Sequence, residues 1–267
     1  MLLSRLSVAT LLLSGVLWGL PGCGSKPVDN TSGWSPNRLF TEALEERKAG
    51  NFEKSVTLWE RLEGRAAGTP LAQQAQLEKA YTHHKAGEPI QALAAIDRFM
   101  RLHPSSPALD YALYLKGLIS FNDNLGLFGF IAQQDLSERD QKAARESFEA
   151  FASLVQRFPD SRYALDAQLR MRYITNSLAQ YEVHVARHYH ARGAHLAAIN
   201  RAQAALISHQ DAPALEDALH ILYLSYDALG MTELRNDTLR VLNATYPNSP
   251  APGTLLRRTN EPWWKLW

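Results

Sequence analysis

Cysteine is almost absent from this sequence: Cys23 is the only one among 267 residues. One thiol cannot form an intramolecular disulfide, so apolar packing must stabilise the fold. With 46% hydrophobic and 21% charged residues, a chain of this length can bury a substantial core. The position of the single thiol, directly after an apolar run, therefore needs an explanation other than a disulfide.

An excess of either charge is also absent, since 28 Lys and Arg face 27 Asp and Glu. Such a balance gives no overall attraction to nucleic acid, and we expect no nucleic-acid partner. The sequence contains neither a phosphate-binding glycine loop nor a G-x-S-x-G motif. His184 and His188 have a spacing that can ligate zinc, but the Glu of a metalloprotease motif and a third ligand are lacking. We therefore predict no catalytic residues, no metal and no cofactor other than covalent lipid.

The N-terminus has the pattern of a secretory signal. A basic start is followed by an apolar segment over 6–20, which is too short to span a bilayer. The four residues from Leu20 to Cys23 resemble the lipobox of bacterial lipoproteins. The resemblance implies that residues 1–22 are cleaved and that Cys23 carries S-diacylglycerol and an N-acyl chain. The alternative is an ordinary signal peptide with an incidental cysteine.

The residues after Cys23 bear on localisation and on attachment. Several acyl chains hold a protein firmly, whereas one does not. Gly24 and Ser25 follow Cys23, and inner-membrane lipoproteins typically carry Asp after the cysteine, so the resemblance implies the periplasmic face of the outer membrane of a Gram-negative bacterium. A Gly-, Ser- and Pro-rich stretch predicts a flexible tether over 23–34.

A repeat occupies most of the remaining chain. Turn glycines recur 37 residues apart, and a proline follows 17 residues after two of them: Gly50, Gly87, Gly193 and Gly230, with Pro104 and Pro247. A helix, a Gly turn, a second helix and a terminating Pro are typical of a tetratricopeptide repeat. Small residues stand five positions after three of the glycines: Ser55, Ala92 and Ala198.

No segment shows convincing strand alternation, so the predicted fold is an all-α solenoid of five helix pairs over 35–250. Repeat three has a first helix at 110–121 and a second at 140–159, whose inner face carries Ala144, Phe148, Phe151, Val155 and Phe158. Between them, 122–139 is an insertion containing "LGLFGFI", which we expect to bury its apolar side chains against the solenoid rather than form a functional loop.

The C-terminal tail, 251–267, contains Trp263, Trp264 and Trp267. These side chains could pack on the last repeat, dock a partner or lie at a membrane interface. The sequence does not choose among the three.

The lipobox, the repeats and several strings together resemble the BamD family of outer-membrane lipoproteins. The strings are "AIDRFMRLHP", "DYALYLKGL", "DLSERDQKAARESFEAF", "RFPDSRYALDA" and "RGAHLAAINRAQ". The resemblance implies a non-catalytic subunit of the β-barrel assembly (Bam) complex. Its implied partners are a periplasmic domain of the central barrel subunit, accessory Bam lipoproteins and unfolded outer-membrane proteins that end in an aromatic residue.

The resemblance also suggests where these partners bind. It implies that the C-terminal repeats contact the central subunit, with Asn200 and Arg201 in "AAINRAQ" as candidates. It implies that the N-terminal repeats receive substrate, and counting back from the turn glycines gives the groove-facing candidates Phe40, Leu44, Arg47, Tyr81, His84, Lys85, Tyr111 and Tyr114. Aromatic side chains could hold a terminal aromatic residue, and Arg47 or Lys85 could attract its carboxylate. The alternative is that the aromatic residues belong to the core.

One departure from the family and two other functions stay open. The link after repeat one, 66–71, lacks the aromatic residues that family members often have there, so any role of that link in substrate binding would differ. Another tetratricopeptide lipoprotein, for pilus assembly or cell division, is a second interpretation. A periplasmic cell-wall enzyme is a third.

Overall fold

The structure is a computed structural model that describes residues 30–121 and 141–252. Within these ranges all regular secondary structure is helical, as predicted. The helices are α1 (Pro36–Lys48), α2 (Phe52–Arg65), α3 (Pro70–Lys85), α4 (Pro89–Leu102), α5 (Leu109–Ser120), α6 (Gln141–Arg157), α7 (Ala164–Ala191), α8 (His195–Ser208), α9 (Leu215–Ala228) and α10 (Thr232–Thr245). None of these helices is long and apolar enough to cross a membrane.

The helices stack as a solenoid. Each described helix packs against its neighbours in the chain, and α3 also contacts α5, as α7 contacts α9. We call α1, α3, α5, α7 and α9 the first helices and the others the second helices. This arrangement confirms the predicted tetratricopeptide-type solenoid. The exact repeat count and the insertion in repeat three stay predictions, because 122–140 lies outside the described residues.

The turns lie where the repeat predicts them. Gly87 has φ +76°, a left-handed conformation that side chains with a Cβ adopt at a cost, and Gly50, Gly193 and Gly230 have similar positive φ values. The small residues five positions later, Ser55, Ala92 and Ala198, are fully buried. Small side chains at these positions let the two helices of a pair approach closely.

Prolines mark the beginnings of several helices. Pro36, Pro70 and Pro89 occupy the first turn of α1, α3 and α4, where the missing N–H has no partner to lose. Before α1, the Ser35 side chain accepts a hydrogen bond from the Arg38 backbone N–H. The repeat sequence thus determines both ends of its helices locally.

The longest helix, α7, joins two parts of the core. It has 28 residues. Ile174 and Leu178 pack in one cluster with Phe151 and Leu154 of α6, whereas Val183 belongs to the next cluster, with residues of α8 and α9. The predicted inner face of α6 is confirmed, since Phe151 is buried and Ala144, Phe148, Val155 and Phe158 pack around the same cluster.

Several predictions fall outside the described residues. They are the signal peptide, lipidation of Cys23, the insertion at 122–139, and the fate of Trp263, Trp264 and Trp267. These stay predictions.

We expect Gly117→Ala to destabilise the protein strongly. A Cβ on Gly117 would overlap the ring of Phe151, and its carbonyl accepts a hydrogen bond from the buried Ser147 hydroxyl, so the backbone is not free to move away. Overpacking of this kind costs about 1–3 kcal/mol. Urea unfolding would measure the loss. Gly64→Ala is the control, since Gly64 lies in α2 with open space around it; equal effects of the two substitutions would contradict the packing argument.

Candidate functional site

Arg47 of α1 and Tyr81 of α3 lie in contact between these two first helices. The Arg47 guanidinium lies 4.9 Å from the centroid of the Tyr81 ring and forms an ion pair with Glu78. The Arg47 and Glu78 side chains are only 16% and 23% exposed. Glu78 of α3 therefore holds the Arg47 side chain in place and balances its charge. This makes Arg47 a poor candidate for binding the carboxylate of a ligand.

Lys85 differs from Arg47 in its surroundings. Its Nζ lies 5.5 Å from the centroid of the same Tyr81 ring, the residue is exposed, and no ion pair to it occurs within the described residues. The adjacent His84 ring lies 6.3 Å from Tyr81. Burial, and then the charge of Lys85, lower the pKa of His84, so this imidazole is neutral near pH 7. Lys85 is thus the cation that this cluster presents to solvent.

Phe40 and Leu44 belong to the core more than to an open surface. The Phe40 ring meets the buried Trp59 edge-on, with centroids 5.2 Å apart, and both Phe40 and Leu44 are partly buried against the cluster around Trp59. The alternative of a core role describes these two residues better than the groove assignment.

Tyr111 and Tyr114 are brought together by a residue that the site prediction missed. Tyr163, just before α7, lies 5.5 Å from Tyr111 and stacks on Tyr114 at 4.7 Å between centroids. The Tyr114 hydroxyl donates to Asp166 at 2.8 Å, and Arg170 Nε donates to the same carboxylate oxygen at 2.6 Å. Tyr114 therefore connects α5 to α7 and has little surface left for a ligand.

The ionisation of both tyrosines reflects these surroundings. Burial, and then the nearby Glu78 carboxylate, raise the pKa of Tyr111 far above its usual range. Burial, and then the hydrogen bond to Asp166, raise the pKa of Tyr114. Both phenols remain protonated over the physiological range, and that of Tyr114 donates to Asp166.

An open cavity of about 580 Å³ connects α3, α5 and the beginning of α7. Side chains that can hydrogen-bond or stack line it, among them Gln73, Gln74, Glu78, Tyr111, Arg162 and Tyr163. The Arg162 guanidinium lies over the Tyr163 ring, 4.7 Å from its centroid. Amides, phenols and a cation in one concave site suit a peptide main chain and its aromatic side chains. We call Tyr81, Lys85 and this cavity the peptide groove.

The sequence contained a signal for the missed residues. Arg162, Tyr163 and Asp166 all lie in "RFPDSRYALDA", one of the strings that carry the family resemblance. Counting back from a turn glycine does not reach them, because α7 begins 29 residues before Gly193.

Asn200 and Arg201 lie on α8, a second helix, and both are exposed. Arg201 Nη1 lies 3.2 Å from Glu182 Oε2 of α7, and the Glu182 side chain is only 11% exposed. Glu182 also lines a cavity of about 640 Å³ whose apolar lining includes Phe148, Leu178 and Ile207. Arg201 thus stands beside a concave, partly apolar surface that the sequence prediction did not include.

The histidines of α7 do not form a metal site in the part of the chain that the structure describes. No three His, Cys, Asp or Glu side chains come together there in a metal-binding arrangement. His190 instead contacts the Ser225 hydroxyl at 2.9 Å and the ring of His195 at 5.0 Å.

Comparison with known proteins identifies the class to which this solenoid belongs. The sequence profile of the YfiO family, described as "Outer membrane lipoprotein", matches residues 33–250. The chain is 46% identical over 246 residues to the outer membrane protein assembly factor BamD of Neisseria meningitidis serogroup B, covering 92% of each chain. It is 32% identical to the BamD of Xylella fastidiosa strain Temecula1, covering 91% of this chain and 83% of that protein. The chain therefore belongs to the BamD family of outer-membrane lipoproteins.

Solved structures resemble the chain less closely. The crystal structure of MamA protein matches 81% of this chain and 98% of its own, at 15% identity and a TM-score of 0.37. The fold assignment depends on the helices and their packing, and family membership depends on the sequence relatives.

The elevated pKa of Tyr111 makes stability sensitive to alkaline pH. The phenol ionises near pH 10 in the unfolded chain but only at a higher pH in the folded one, so its contribution is complete below pH 10 and is lost as the pH rises further. One such group gives a slope of about 1.4 kcal/mol per pH unit. We expect Tyr111→Phe to lose less stability than the wild type between about pH 10 and 11 in urea unfolding. Identical slopes would show that Tyr111 does not resist ionisation.

Proposed function

We propose that this chain is a non-catalytic outer-membrane protein assembly factor, a lipoprotein subunit of the β-barrel assembly complex. The observation that carries the proposal is 46% identity, over 92% of each chain, to a protein named for that role. Lipid on Cys23 would hold it on the periplasmic face of the outer membrane. The solenoid supports the proposal physically, since a stack of helix pairs offers extended surfaces for several partners at once.

We assign contact with the central barrel subunit to the surface around Arg201. Arg is enriched at the centres of protein interfaces, and here it lies beside a cavity with apolar walls. Its partner Glu182 fixes the guanidinium, so less side-chain freedom is lost on binding. Accessory lipoproteins of the complex are further partners.

We assign the unfolded substrate to the peptide groove. The substrate's terminal carboxylate meets Lys85, and its terminal aromatic side chain packs on Tyr81 beside it. The preceding residues cross the cavity lined by Gln73, Tyr111 and Tyr163. Arg47 packs on the Tyr81 ring instead of binding the carboxylate, because Glu78 already balances its charge. This arrangement departs from the equal choice between Arg47 and Lys85 that the sequence left open.

Lys85→Gln tests the assignment of the carboxylate. We expect about fivefold weaker binding of a C-terminal barrel peptide with a free carboxylate, because a charge-assisted contact is lost, and unchanged binding of the same peptide as its amide. Fluorescence anisotropy with labelled peptides would measure both. Lys48→Gln removes the same charge from an exposed position on α1 and should leave both affinities unchanged. Equal losses for acid and amide would exclude Lys85 as the carboxylate ligand.

Arg201→Gln tests the partner surface and the proposed function together. Wild-type protein, tagged and purified from gently solubilised outer membranes, should bring down a large β-barrel protein in stoichiometric amount. The variant should retain about a fifth of it, since truncating a central interface Arg costs roughly 1 kcal/mol or more. Glutamine is preferred to glutamate at this position, because a second carboxylate would face the nearly buried Glu182.

The control is Arg240→Gln on α10, where the side chain is 77% exposed and pairs with Asp237. Equal recovery with the Arg201 and Arg240 variants would remove Arg201 from the interface. Recovery of pilus or cell-division proteins instead of a barrel protein, with the wild type, would overturn the proposed function.

A further inference from the structure

The turn that follows α10 has the same backbone hydrogen bond as the turns that precede the first helices α5, α7 and α9. The backbone N–H of Ser106 donates to the carbonyl of His103 at 3.1 Å, and that of Ser249 donates to Tyr246 at 2.9 Å. The two hexapeptides, "HPSSPA" at 103–108 and "YPNSPA" at 246–251, share four residues in register. The same hydrogen bond joins Ser161 to Phe158 and Ala212 to His209, ahead of α7 and α9.

The serine of this turn also docks on the preceding first helix. The Ser106 hydroxyl donates to Gln73 of α3 at 2.8 Å, and the Ser161 hydroxyl donates to Asp110 of α5 at 2.7 Å. Ser249 also contacts the preceding first helix, about one turn further along: its hydroxyl lies 2.8 Å from His220 Nε2 of α9. In the first two cases a first helix follows three residues later, at Leu109 and Ala164. The same count from Ser249 reaches Pro252, and proline at the first helical position is already used three times in this chain.

The face of α9 that this turn approaches is only partly covered among the described residues: His220 is fully buried against the turn, but its neighbours on the face are not. Helical spacing places Glu216, Tyr223 and Leu224 on the same face as His220, and all three are only partly buried, whereas Leu219 and Ile221 are at most 4% exposed. In contrast, α3 and α7 each contact the next first helix. The partly exposed Tyr223 and Leu224 side chains thus form a terminal surface of the kind that solenoids cover with a cap.

The chain that follows this turn is long enough to cover the rest of the face. The sequence that follows Pro252 is "GTLLRRTNE", with two leucines and two arginines in succession and one acid. Its nine residues span about 14 Å as a helix or about 30 Å extended, which is enough to lie along α9, itself about 21 Å long.

We propose that the C-terminal segment 253–267 caps the solenoid, in the position of a further first helix. Leu255 and Leu256 cover Tyr223 and Leu224 of α9. Pro262 ends this contact, so the tryptophans follow it. The proposal does not depend on which partners the protein binds elsewhere.

Tryptic cleavage after Arg257 and Arg258 tests the cap in the full chain purified in detergent. A docked segment must be released before cleavage, so Leu224→Asp should accelerate cleavage at these two sites about tenfold or more. Leu234→Asp is the matched control: it introduces the same charge at a 48% exposed leucine on α10, away from the α9 face, and should leave the rate unchanged. Rapid cleavage in the wild type, or equal rates in both variants, would overturn the proposal.

A second measurement guards against a variant that fails to fold. The double variant Leu255→Asp/Leu256→Asp leaves every described residue intact, and we expect faster hydrogen exchange in α9 but not in α1 or α3. Unchanged exchange in α9 would overturn the proposal. Vesicles of phosphatidylethanolamine and phosphatidylglycerol provide the alternative occupant: cleavage that slows only when they are added would assign the segment to the membrane surface and likewise overturn it.

Discussion

Every part of this solenoid depends on the seam between one first helix and the next. A helix pair alone leaves one face of its first helix in water, and only the following pair can cover it. Polar contacts set the register of this seam, with Arg47 on Glu78, Tyr114 on Asp166 and Arg187 on Asp217 joining successive first helices. Apolar area supplies most of the stabilisation, because partly exposed ion pairs contribute little each. The polar contacts select which turn of one helix faces which turn of the next.

The same seam supplies the candidate site. The peptide groove is built from residues that already hold the repeats together, which explains its mixed character: the aromatic rings are partly buried, and Arg47 is neutralised in place. What remains available to a ligand is what the packing does not use, namely the Lys85 ammonium, the phenol of Tyr111 and the amide of Gln74. A site of this kind is rigid before any ligand arrives, so little ordering is required on binding.

The local rules of the repeat made the fold predictable, and non-local contacts made the site harder to predict. Gly87 and Pro104 determine where a pair turns and ends, and these depend only on neighbouring residues. The pairing of Arg47 with Glu78 spans 31 residues, and that of Tyr114 with Asp166 spans 52. Periodicity says which face these side chains occupy, but it does not say which partner meets them. Thus Lys85 and Arg47 were equivalent in the sequence, and Phe40 could not be separated from a core residue.

The length of α7 has a mechanical consequence. Solenoids bend and twist by small rotations accumulated between neighbouring pairs, which makes them elastic. A continuous helix of 28 residues, about 42 Å long, passes through two core clusters and resists such rotation where it lies. The stack is therefore expected to bend less at α7 than in the helix pairs on either side of it. A force applied at the N-terminal end of the solenoid would reach the surface around Arg201 as a displacement of the whole helix, with little lost in local distortion.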